Sequence, residues 1–140
     1  MALIASTEVT PDFRAPGWAR TWCQERLAVA LQGRGVVDAQ LLEDVCVVVS
    51  ELVTNAVRTG CAELTVQLFV EDDRIRLAVI DDGGGLPVQQ HPRVEATHGR
   101  GLAIVGALTR DWGVRPLDTG KEVWADLALT PPNHSDLSSR

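Results

Sequence analysis

Basic charge is in short supply in this chain. Lysine occurs once, at Lys121, the formal net charge is −6 and the pI is near 4.9. Such a surface excludes broad nucleic-acid binding, which relies on clustered basic residues to displace counterions from phosphates. An anionic ligand must therefore be held locally. Long apolar runs are also missing: none approaches the roughly 20 residues of a membrane span. The opening MALIASTEVT lacks the basic flank and longer apolar stretch of a signal peptide. These absences predict a cytoplasmic protein with no membrane partner. Cys23, Cys46 and Cys61 are odd in number and have no CxxC spacing. That pattern predicts reduced thiols rather than disulfides or a zinc site, with Cys46 packing as a small hydrophobe. His91, His98 and His134 are scattered and read as solvated side chains rather than metal ligands. No GxxxxGK[ST] is present, so a P-loop is excluded, and there is no internal repeat.

What remains is apolar enough to fold. With 45% hydrophobic residues in 140, the chain predicts one domain over 1–130 and a disordered tail over 131–140, PPNHSDLSSR. Pro16 to Gln32 reads as a first helix, with proline near its start, Gly33 and Gly35 past its end, and Trp18, Trp22 and Val29 sharing a face. Asp38 is the natural N-cap of a second helix that reaches Arg58 and is stopped by Gly60. Leu64 to Val70 alternates cleanly, Glu71 to Asp73 turn, and Arg74 to Ile80 alternates again, as in an antiparallel hairpin. DDGGGLP follows, then a polar loop to His98, a helix from Gly101 to Arg110, and two strands, Trp112 to Leu117 and Glu122 to Leu129, joined through Asp118, Thr119 and Gly120. Helices and hairpins in this order predict an α+β sandwich with helices on one face of a mostly antiparallel sheet.

The second helix carries the first chemical signal. At about 100° per residue, Leu41, Leu42, Val45, Val48, Val49, Leu52, Val53 and Ala56 form one broad apolar arc. Glu51 and Asn55 fall at its border, one turn apart, with Asp44 near the same line. By themselves the two polar residues read as the wet face of a helix. Three features weigh against that. In DDGGGLP, Asp81 arrives at the end of a strand and three glycines follow, so backbone can approach a flat ligand while the carboxylate accepts from an exocyclic amine. In HGRGLAIV, Gly99 and Gly101 flank Arg100 at a helix start, where free N–H groups favour phosphate. The dinucleotide fingerprint fails there, because Ile104 holds the third glycine position and a long loop precedes it. With no lysine near that box, phosphate charge falls to backbone amides, Arg100 and a metal ion. The third feature is the order and spacing of these parts, more specific than any one of them.

This set, and the wording SELVTNAV, DDGGGLP and GRGLAIV, resembles the GHKL ATP-binding family, which includes histidine-kinase ATPase domains, gyrase and Hsp90 chaperones. It looks most like the bacterial anti-sigma-factor serine kinases, over about Asp38 to Leu129. The resemblance implies the Bergerat fold, a two-layer α/β sandwich on a mostly antiparallel mixed sheet, with ATP between the helix layer and a lid. It implies that Asn55 coordinates Mg2+ and contacts ATP, that Glu51 is the catalytic group polarising the attacking hydroxyl, that Asp81 binds adenine beside Gly83 and Gly85, and that Gly99, Arg100, Gly101 and Leu102 contact phosphate. Where the family often reads NAVRHG this chain reads NAVRTG, with Thr59 in place of histidine. That puts one contact near the site in doubt and leaves the metal position intact.

The expected function is an ATP- and Mg2+-dependent protein serine/threonine kinase that binds a sigma factor, phosphorylates an anti-anti-sigma partner and forms a homodimer. A non-catalytic ATP-binding switch module is the second class. The third is a detached histidine-kinase ATPase half, which needs a phosphoacceptor histidine on a companion chain. A gyrase-like ATPase would likewise need its transducer from elsewhere.

Overall fold

The computed structural model describes residues 2–83 and 103–129. Its elements are β1 (Ala2–Glu8), α1 (Ala15–Gly33), α2 (Ala39–Arg58), β2 (Leu64–Val70), β3 (Arg74–Asp81), β4 (Asp111–Leu117) and β5 (Gly120–Ala128), with a helical segment over 103–108. The strands form one five-stranded sheet in the order β1-β2-β3-β5-β4, antiparallel at every described pairing. Both helices lie on one face, α2 against β3 and β5 and α1 against α2 and β2. This is the expected α+β architecture.

Each element follows from local chemistry. The Asp38 side chain accepts from Leu41 N at 3.0 Å, capping α2 and satisfying one of its free amides. Gly60, at φ +77°, takes the left-handed turn that ends the helix. The arc read from the sequence is the buried face: Leu41, Val45, Val48, Val49, Leu52, Val53 and Ala56 are buried, and Leu42 is packed at its margin. On β2, Leu64, Val66, Leu68 and Val70 are buried while Thr65, Gln67 and Phe69 are half-exposed. The β3 counterparts Ile75, Leu77 and Val79 close the core from the neighbouring strand.

Two features differ from the sequence reading. β1 was not expected. Its seven residues show no buried position and little alternation, yet they pair with β2 from Ala2↔Val70 to Glu8↔Thr65, with a register shift between Leu3 and Ala5. In α1, Trp18 and Trp22 do share a face, their rings stacked 6.5 Å apart, but Trp18 is 48% and Val29 71% exposed. The core stripe is instead Ala15, Ala19, Cys23, Leu27 and Leu31, with Trp22 packed half-buried at its margin. Small side chains in the first half of the stripe let that part of α1 settle closely on α2, and Trp18 and Val29 stay outside.

The sheet face away from the helices is polar but organised. Arg76 grips the buried Asp126 with two hydrogen bonds of 2.7 and 2.9 Å and lies 4.4 Å from the Trp124 ring centroid. Arg115 pairs with Glu122 across β4 and β5. Among the described residues, no helix is long and apolar enough to cross a membrane.

Candidate functional site

The site is built where the end of β3 meets the C-terminal end of α2. Alternation along β3 carries the inward face through Ile75, Leu77 and Val79 to Asp81, so the last inward side chain is a carboxylate at the rim of the core. Asp81 is 3% exposed. Its Oδ1 accepts from the Gly83 amide at 2.8 Å and from Lys121 Nζ at 3.0 Å. Its Oδ2 is buried and has no hydrogen-bond partner among the described residues. A carboxylate oxygen left in that condition is unusual, because buried polar atoms almost always find a partner.

Glycine geometry brings the walls together. A methyl group on Gly83 would lie 2.7 Å from Thr59 Oγ1 and 3.0 Å from Asp81 Oδ1, so a side chain there would be forced against α2 and the carboxylate. Gly120, at φ +149°, is tighter still: a Cβ would fall 1.9 Å from the Asp81 carbonyl oxygen. That close approach seats the next residue, Lys121, opposite Asp81 in the β3 and β5 register. Asp82 points its carboxylate the other way, accepting from Ala62 N at 2.8 Å and Glu63 N at 2.9 Å. The Glu63 and then the Ala62 amide hold its pKa below the usual value. Beside it, burial raises the Cys61 thiol pKa, and the negative charges of Asp81 and Asp82 raise it further.

Thr59, the C-cap of α2, whose hydroxyl donates to the Ala56 carbonyl at 2.8 Å, stands against Gly83. Asn55 stands one turn before it and Glu51 two turns, about 6 Å per step along the axis. Both are half-buried at the margin of the apolar face, as the wheel predicts. The structure therefore brings Asp81 and Gly83 against Thr59 at the end of α2, with Asn55 and Glu51 one and two turns back along the same helix. Gly85, Gly99, Arg100, Gly101 and Leu102 lie outside the described residues.

Sequence reasoning missed Lys121, treated there only as a compositional oddity. The signal was present. In β5, Lys121 falls in the same alternation as Val123, Ala125 and Leu127, which predicts an inward lysine, and an inward lysine needs a carboxylate.

The donor set fits an adenine nucleotide. The free Oδ2 matches an amine donor, the Asp81 to Gly83 turn carries no side chain beyond Asp82 to obstruct a flat ring, and Asn55 offers a hard amide oxygen suited to Mg2+, which takes few protein ligands.

Comparison with known proteins gives the family and the fold. The family model described as "Histidine kinase-like ATPase domain" matches residues 17–127. A solved structure of the Erythrobacter litoralis EL346 blue-light activated histidine kinase is similar at 25% identity and a TM-score of 0.53, over 71% of this chain and 33% of that one. The histidine kinase domain of the same enzyme is similar in fold at 21% identity and a TM-score of 0.54, over 81% of this chain and 62% of that one. The chain thus spans a third of one structure and 62% of the other. No curated protein matches it.

Proposed function

Because the chain belongs to the histidine kinase-like ATPase domain family, we propose that it binds ATP with Mg2+ and acts as a protein serine/threonine kinase of the anti-sigma type. In this reading it holds a sigma factor, phosphorylates an anti-anti-sigma partner on a hydroxyl, and works as a homodimer. The observation that carries the nucleotide part is the buried, unpartnered Oδ2 of Asp81 beside the glycine turn. Bound Mg2+ and ATP would supply the phosphoryl group and neutralise its charge. The residues of the chain do the rest: Asp81 accepts from the base amine, Asn55 offers its amide oxygen to the metal, and Glu51 takes the proton of the acceptor hydroxyl as the oxygen is phosphorylated and ADP leaves. Gly83 and Gly85 clear the base, and Gly99, Arg100, Gly101 and Leu102 hold phosphate.

Titration calorimetry with Mg·ATP tests binding. Asp81→Asn is expected to weaken it by roughly tenfold or more, the scale of a hydrogen bond to a charged group. Labelled ATP with candidate partners tests transfer, and the product is acid-stable phosphate. Glu51→Ala should retain ATP and lose transfer. Partner control that survives Glu51→Ala unchanged, with ATP still bound, would mean a non-catalytic switch. The 25% identity to the Erythrobacter enzyme favours a second reading, an ATPase half serving a histidine on a companion chain. Its product would be acid-labile, so one acid wash separates the two.

A further inference from the structure

The two oxygens of a carboxylate are chemically equivalent until neighbours make them different. At Asp81 they are very different. Oδ1 receives two donors, the Gly83 amide at 2.8 Å and Lys121 Nζ at 3.0 Å, while Oδ2 receives none among the described residues and is also hidden from solvent. The ammonium is itself buried, with the Lys121 side chain 6% exposed and that of Asp81 1%. Burying such a pair seldom stabilises a fold more than an apolar pair of the same volume would. The pair also depends on Gly120, whose lack of a side chain lets β5 begin against the Asp81 carbonyl.

We propose that Lys121 is a positioning residue of the base site: by occupying Oδ1 it fixes the rotation of the Asp81 carboxylate and reserves Oδ2 as the acceptor for the exocyclic amine of the purine. The inference rests on the ATP-binding reading and adds the residue on which preference for an aminated base depends. Lys121 touches Asp81 and acts through it. Removing it frees the carboxylate to rotate, so the amine loses its fixed partner while the rest of the nucleotide keeps its contacts.

Two nucleotides read this out: ATP and purine riboside 5′-triphosphate, which lacks the amine. Wild-type protein is expected to prefer ATP by about tenfold or more, as for a hydrogen bond to a charged acceptor. Lys121→Met is expected to lose most of that preference by weakening ATP while leaving the analogue nearly unchanged. Lys121→Gln, which keeps an N–H donor within reach of Oδ1, should recover part of it. A purely structural role would weaken both nucleotides alike, and that result overturns the proposal, as does a preference unchanged by Lys121→Met. Should Lys121→Met not fold, the wild-type chain decides. Lys121 is its only lysine, so protein labelled with ¹⁵N-lysine gives one side-chain ammonium signal. That signal should move on adding ATP and move much less with the analogue. An unmoved signal while ATP is bound overturns the proposal. No binding of ATP by wild type removes the underlying reading, and the proposal with it, a result distinct from binding that ignores Lys121.

Discussion

Adjacent aspartates in DDG do opposite work. Asp81 turns into the rim of the core and Asp82 turns out to pin the loop between α2 and β2 through the Ala62 and Glu63 amides. Those amides lower the Asp82 pKa, so the folded state binds its proton less readily than the unfolded chain does. The stabilisation is therefore present above the unfolded value, near about 4, and is lost as pH falls through the lowered folded value. Asp82→Ala is expected to lower the melting temperature at neutral pH, and the gap to wild type should close in acid. A gap that stays constant down to low pH would show that the hydrogen bonds are not the cause. Two aspartates in a row look alike until the strand before them is counted. The period of β3 settles it: counting from Ile75 in steps of two reaches Asp81 and skips Asp82.

At the scale of elements, most of the fold could be read directly. The α2 cap, its stop at Gly60 and its apolar arc were legible because capping and a 3.6-residue period leave local marks. The hairpin of β2 and β3 was legible because alternation and an acidic turn do the same. β1 was not, because its order comes from pairing with β2 across some sixty residues, and its own side chains carry almost no pattern. The exposed Trp18 of α1 misleads for a related reason: the buried positions in the first half of that helix are alanine and cysteine, which weigh little in a hydrophobicity count. Since α2 presents both the core and Glu51 and Asn55, damage to its buried side should propagate. Leu52 is 2% exposed between those two polar residues in sequence. Leu52→Ala is expected to cost about 2 to 5 kcal/mol in denaturant unfolding, and to weaken ATP binding as well, since the helix carries Asn55, the amide proposed to hold the metal. A variant that unfolds more easily yet binds ATP as tightly as wild type would separate core from site.

Taken as a whole molecule, the chain reports its integrity through its thiols. Cys23 lies at 0% exposure between α1 and α2, and burial, followed by its neighbour Cys46, pushes its pKa up to about 12. A folded-state pKa raised this way gives stability that is complete below the unfolded value and is lost as pH climbs toward 12. Melting temperature should therefore decline from about pH 9 upward. At pH 8 a disulfide reagent should modify half-exposed Cys46 in the native state, and Cys23 only at the rate of global opening. Mass mapping of the labelled peptides checks the order; early labelling of Cys23 would mean that the two helices part without unfolding.

The borders of the sheet carry one last implication. β1, on one flank, has its irregular step between Leu3 and Ala5, and β4, on the other, has Pro116, whose ring nitrogen offers no hydrogen to an incoming chain. Both described margins thus discourage ribbon-to-ribbon stacking, and a protein this rich in valine and leucine is expected to stay free of fibrils when concentrated.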